Sequence, residues 1–280
     1  MKTLQTIEPL NPETIVLTNE RPLIAHCNDF KDYYIKYHKG IGSATRLFNE
    51  YLIACLLPIW GFNCPNYALV NVLPNHLPDN LGLNKKYFDT PCFGVEKIEN
   101  CFDLTESNVE ILKKSENKKR LKDDIIRLGF FDIFIANEDR HLANLNTLSK
   151  LEGSEYLLFP IDHVAIFNQH GFKHELTELT YDESIINSAL FSKIVNDRDL
   201  PRKLALRRMK ESLYLCSQIC SNSLNEILKD IPLEWQINTT EIKQKLLDLC
   251  FSGEWFEKCW EVFVQYLQQY HMQKNNQNAS

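Results

Sequence analysis

The chain has 280 residues, a net charge of −6, 44% hydrophobic and 24% charged residues. This is ordinary globular composition, long enough for one large domain or two lobes with a sizeable core. With an acidic balance and no basic run longer than Lys118-Lys119-Arg120, neither nucleic acid nor an anionic membrane is the expected direct partner.

The opening MKTLQTIEPLNPE lacks the apolar core of a secretory signal, and no apolar run approaches the roughly 18 residues of a membrane span. Nine scattered cysteines with no C-x-x-C pair fit a reducing cytoplasm. Cys216 and Cys220, four apart, share one face of a helix; without a second pair or a nearby His, packing is favoured over zinc.

Three short segments rich in β-branched and aromatic residues predict strands: ETIVL (13–17), RPLIAHC (21–27) and DYYIKYH (32–38). Alternation in the third puts Tyr34, Lys36 and His38 on one face and Tyr33, Ile35 and Tyr37 on the other. A strand Lys is usually an edge or solvated residue. After GIGS (40–43), Leu47, Leu52, Cys55, Leu56 and Ile59 recur near helical spacing, which predicts an amphipathic helix from Ser43–Thr45 that Gly61 and Pro65 close. Glu50 lies on its early part. PNYALVNV (65–72) and CFGVEKIE (92–99) read as strands, separated by a Pro- and Asn-rich excursion.

The basic stretch 113–120 reads as a solvated entry to a helix over 121–137, which delivers the chain to a polar patch at 137–144, NEDRHLAN. An apolar strand, EYLLFPIDHVAIF, follows and closes on Asp162. Segments 183–196, 200–231, 239–250 and 254–270 carry helical periodicity, with Asp182 and Thr239 or Thr240 as N-caps, and Trp235, Trp255 and Trp260 in the core. The tail KNNQNAS reads as frayed.

An Asp, an Asn five residues on, and a second Asp after a strand are the residue types of phosphoryl transfer. One carboxylate orients a hydroxyl; an amide oxygen and another carboxylate hold magnesium on the phosphates. A lone loop Asp is more often a turn or cap residue. Three matched positions, held between two apolar runs, favour the chemical reading.

The D-R-H-x-x-N of Asp139–Asn144, followed by Ile161-Asp162, resembles the catalytic segment of HipA-like kinases and, more loosely, of phosphoinositide lipid kinases. Lys36, then Asn49-Glu50 on a helix, then PNYALVNV, extend the resemblance upstream. It implies an α+β, bilobal protein kinase-like fold with a β-rich lobe over 1–95 and a mostly helical lobe over 96–280. It also implies an ATP- and magnesium-dependent Ser/Thr protein kinase. Lys36 would hold phosphates and Glu50 orient it. Glu96, Lys97, Ile98 and Glu99 would form the adenine-reading hinge. Asp139 would position the hydroxyl, and Asn144 with Asp162 would bind the metal. The implied partners are a protein substrate carrying Ser or Thr and, as in some members, an antitoxin-type protein.

The chain departs from ordinary kinases in several places. The TNERPL loop before the Lys strand has no glycine, D-H-V replaces D-F-G, and no A-P-E follows. His163 and His170 have no partners at metal-ligand spacing. Two alternatives use the same residues: a small-molecule or lipid kinase, and a catalytically inactive nucleotide- or protein-binding pseudokinase.

Overall fold

The computed structural model describes residues 1–16, 21–40, 42–169 and 174–279. The chain divides into two compact units, Met1–Leu56 with Cys64–Glu99 and Asn225–Ile242, and Leu57–Asn63 with Asn100–Leu224 and Lys243–Ser280. The architecture is α+β, as expected from the sequence.

The first unit is built on a five-stranded sheet ordered β1-β4-β5-β3-β2, from β1 (Thr3–Gln5), β2 (Leu23–His26), β3 (Asp32–Lys36), β4 (Tyr67–Asn71) and β5 (Cys92–Glu96). β1 runs parallel to β4 and the other pairs are antiparallel. The predicted alternation of β3 is present, with Tyr33, Ile35 and Tyr37 buried in the sheet's core together with Leu23, Ala25 and Val70. Lys36 stands directly across from Phe93, so the two share the opposite face. Helix α1 (Ser43–Ile59) lies on that face, because its Tyr51 ring meets Phe93 edge-on at 6.4 Å.

ETIVL does not form a strand over its described residues. Pro12–Thr14 make a 3-10 turn instead, started by the Asn11 side chain accepting from the Glu13 N–H at 3.0 Å. Leu17 and the TNE of the glycine-free loop lie outside the described residues. The strand that the sheet does use, β1, sits in the opening stretch, and its partner is some 65 positions downstream.

The second unit contains a three-stranded sheet, β6 (Cys101–Asp103), β7 (Thr147–Glu152) and β8 (Glu155–Pro160), and helices α2 (Lys118–Phe134), α3 (Ala189–Ile194) and α6 (Gly253–Ala279). Its core is aromatic: Trp60 packs against Phe130, Phe131 and Phe134 with centroids 5.1–6.0 Å apart, and Phe130 meets Phe256, Trp260 and Phe263. Helix α4 (Lys203–Leu228) and helix α5 (Thr239–Lys245) complete the elements. Cys216 and Cys220 are buried on one face of α4, in packing roles, and all nine cysteines are unpaired. Asp182 lies within a 3-10 turn that Thr180 caps, and Asn238 rather than a Thr caps α5. The tail continues α6 as helix to Ala279. Among the described residues no helix is long and apolar enough to cross a membrane.

Candidate active site

In the first unit, β3 carries Lys36 at its end and α1 carries Glu50 in its second turn, on the sheet face described above. The two meet, Lys36 Nζ lying 2.5 Å from Glu50 Oε1, with side chains 16% and 6% exposed. The turn that makes this possible is GIGS. Gly40 (φ 115°) and Gly42 (φ 88°) both take left-handed backbone, which glycine adopts without a Cβ penalty, and Ser43 closes the turn onto the Gly40 carbonyl. Ile41 lies outside the described residues.

The N–H groups of Glu96 and Lys97 donate to the carbonyls of Asn66 and Asp32, at 2.7 and 2.8 Å. These two N–H groups are therefore committed to the fold. The Glu96 carboxylate is held by Lys31 and by the Asn66 amide. Lys97 reaches Glu99 at 3.6 Å.

In the second unit, the geometry follows from one hairpin. Thr147 at the start of β7 pairs with Pro160 at the end of β8, and Ile161 N–H continues the ladder onto the Asn146 carbonyl at 2.9 Å. The residues just before β7 and just after β8 thus emerge together, which places the Asn144–Asn146 segment and Asp162 at the same end of the hairpin. Asp162 has φ 55°, a left-handed conformation that Asp tolerates better than most residues.

Asp139 sits half-buried in a tight loop closed by reciprocal backbone bonds between His141 and Asn144. Asn144 Nδ2 donates to Asp139 Oδ1 at 3.1 Å, and Asn146 Nδ2 donates to Oδ2 at 2.9 Å. The carboxylate is fixed by two amides, yet each oxygen keeps a lone pair for another donor. Because Asn144 spends its NH₂ on Asp139, its amide oxygen is directed away, and it accepts no hydrogen bond among the described residues.

Beneath this loop Arg140 is fully buried. Nη1 pairs with Asp132 of α2, while Nη2 donates to the Ile161 carbonyl at 3.0 Å and to His163 Nε2 at 2.9 Å. A guanidinium only donates, so Nε2 of His163 accepts and the ring proton sits on Nδ1. Asn137 also donates to Asp132, at 3.0 Å. Burial pushes the Asp132 carboxyl up to about 6, against the downward pull of Arg140, and its second oxygen has no hydrogen-bond partner among the described residues. The guanidinium ties helix, loop and turn into one body. Glu138 extends the scaffold, accepting from Asn168 and Gln169 at 3.0 and 2.8 Å.

The HipA-like kinase family matches residues 15–253, most of the chain. The chain belongs to that family. A solved structure, the proinflammatory kinase CtkA of Helicobacter pylori, shares its fold, with a TM-score of 0.52 and 15% identity over 95% of this chain and 99% of that one. No curated protein matches the chain.

This HipA-like kinase therefore brings its sequence-predicted residues into two sets, Lys36 with Glu50 and Asp139 with Asn144, and sets Asp162 at the hairpin end beside the latter. Sequence reasoning missed Asn146 and Asp132, and gave Asn137 and Glu138 of the polar patch no role of their own. Asp132 did leave a signal, as the one acid inside the apolar run GFFDIFIA, and Asn146 as a second amide two residues after Asn144. His170 lies outside the described residues.

For a metal, the candidate donors are hard oxygens, those of the Asn144 amide and the Asp162 carboxylate. Among the described residues no three His, Cys, Asp or Glu side chains converge on a metal position. That set fits magnesium, which takes one or two protein oxygens and leaves its remaining positions to phosphates and water.

Proposed function

We propose that this chain is an ATP- and magnesium-dependent kinase that transfers the γ-phosphate to a Ser or Thr hydroxyl of a protein in the cytoplasm. The observation that carries the reading is the Asp139 carboxylate, fixed by the Asn144 and Asn146 amides on a loop that Arg140 pins from below. Catalysis of this kind is largely positioning and electrostatics, so a preset carboxylate is the part a protein must supply.

In the proposed mechanism, Asp139 accepts a hydrogen bond from the substrate hydroxyl, aligns its oxygen for in-line attack, and takes its proton as the bond to the γ-phosphorus forms. The bond from that phosphorus to the β-phosphate oxygen breaks, ADP leaving with the electron pair. Lys36 holds the phosphates through its ammonium, and Glu50 keeps that ammonium in place. Asn144 and Asp162 would hold magnesium, whose charge would offset that of the transferring phosphoryl group. A cavity of about 240 Å³ is lined by Leu142, three positions after Asp139 in the sequence, with Tyr181, Lys193 and Lys274. Nine unpaired cysteines favour a reducing compartment.

The test is Asp139→Asn, which keeps the side chain's shape. ATP affinity by titration is expected to stay within a few-fold, while single-turnover phosphorylation, first read as autophosphorylation by mass spectrometry, falls roughly 10²-fold or more. Wild-type protein that binds ATP and phosphorylates neither itself nor any protein of a lysate would sink the proposal.

A further inference from the structure

Helix α4 buries one face through Leu213, Cys216, Cys220 and Leu224, yet it turns a second apolar row outward. Leu204, Leu215 and Ile219 are 63%, 55% and 42% exposed. At 3.6 residues per turn, positions 204, 208, 211, 215 and 219 fall on one stripe, with the three- and four-residue spacing of a helix-pair seam. The stripe reads Leu204, Arg208, Glu211, Leu215, Ile219. Arg208 and Glu211 are both exposed, Glu211 also accepting from Arg207 of its own helix at 3.1 Å.

From Leu204 to Leu215 the spacing is four, three, four, the same read from either end. A second copy of the helix, turned end over end about the midpoint between Arg208 and Glu211, therefore sets Leu204 against the other copy's Leu215 and Arg208 against its Glu211. The two-fold makes each contact twice, as an isologous interface must. Ile219 then comes opposite Leu200, which is half-buried just ahead of the helix. A parallel, in-register pairing fails on charge, because it sets Arg208 against Arg208 and Glu211 against Glu211. The sequence of the stripe is thus complementary to itself when antiparallel and not when parallel and in register.

We propose that the outward stripe of α4 is a two-fold interface, and that its occupant is the antiparallel α4 of a second copy of this chain. One helix pair of four turns buries less than the roughly 1,200 Å² of a stable standard interface, so the dimer is a weak one.

Sedimentation equilibrium on the full chain, over about 5 to 300 µM to cover weak association, tests this. Wild-type protein is expected to shift from monomer to dimer across that range. Arg208→Glu and Glu211→Arg each place like charges together twice, and each should weaken dimerisation at least about tenfold. An equimolar mixture of the two variants restores opposite charges at both contacts and should recover dimer. Leu215→Ser should weaken association with the charges intact, and circular dichroism checks that each variant keeps its fold. Protein that stays monomeric over the whole range overturns the proposal, including protein that instead sediments with phosphatidylserine vesicles. So does a dimer that neither charge reversal weakens, or a mixture that remains monomeric.

Discussion

Two ion pairs, one in each unit, join a basic side chain to a carboxylate mostly removed from water, yet they are built differently. Arg140 and Asp132 are fully buried, and the guanidinium spreads its donors over a helix carboxylate, a turn carbonyl and a His ring. Lys36 and Glu50 meet through a single ammonium that keeps 16% of its side chain exposed. A planar fork with several fixed acceptors has one arrangement; a point charge on a flexible stem can exchange one oxygen for another. The first pair holds a loop in shape, and the second is suited to take a phosphate beside its carboxylate.

The largest expected effect follows from the buried pair. Arg140→Ala leaves the Asp132 carboxylate without its counter-charge, on a scale of about 3–5 kcal/mol of stability. Arg140→Lys should recover only part of it, since an ammonium cannot reach Asp132, Ile161 and His163 together. Denaturant unfolding at neutral pH measures both. A loss under about 1 kcal/mol for the alanine variant would place this pair with ordinary surface bridges and erase the contrast.

The contrast also explains what the sequence could tell. α1, α2, α4 and α6 were legible because long apolar periodicity is a local signal, and β3, β4 and β5 because alternation and β-branched content are local too. β1 was not. It is three residues long, and its partner β4 lies far along the chain, so nothing nearby marks it as a strand. ETIVL carried strand-forming residues, but the Asn11-Pro12 start diverts the chain into a 3-10 turn. β7, with polar residues at alternate positions in TLSKLE, is recognisable only beside β8. In the candidate site, Asp139, Asn144 and Asp162 were singled out by spacing. Asp132, the partner of Arg140, lies in the helix predicted over 121–137, where nothing local names the basic residue that a single acid among Phe and Ile will meet.

A smaller effect concerns pH, and it tests whether Asp132 is held as strongly by burial as by Arg140. Its folded value of about 6 lies above the ordinary 3.8, so between the two the folded state binds the proton more tightly than the unfolded chain. Stability from this group is therefore present at low pH and lost as pH rises from about 4 to about 6, by roughly 3 kcal/mol at most for a shift of about two units. Other carboxylates pull the opposite way; Asp199 and Glu178 are held low by Lys122 and Lys258, so the total curve does not isolate Asp132. The difference between wild type and Asp132→Asn does. It should change across about pH 4 to 6 and be level above, in denaturant midpoints measured on both proteins. A difference independent of pH would mean that Arg140 outweighs burial and keeps the carboxylate charged throughout.

The smallest stability change belongs to Lys36→Ala, and there the two pairs separate most cleanly. Removing the ammonium leaves Glu50 in a site 6% exposed, but the lysine side chain that is lost is itself 16% exposed, so water can enter the space it vacates. The cost should fall between the exposed-pair and buried-pair scales, about 1–2 kcal/mol, and so below that of Arg140→Ala. Function should divide in the opposite sense. If Lys36 holds phosphates, the variant keeps a cooperative unfolding transition but loses most of the stabilisation that ATP with magnesium gives the wild type, which at a hundredfold excess over Kd is about 2.7 kcal/mol. Thermal unfolding with and without nucleotide reads both quantities on one preparation. A variant that still gains the full ATP shift would leave Lys36–Glu50 as a structural pair like Arg140–Asp132, only wetter. A variant that loses as much stability as Arg140→Ala would show that the exposure of the lysine brings no relief, and the exchangeable pair would have to be sought elsewhere in the first unit.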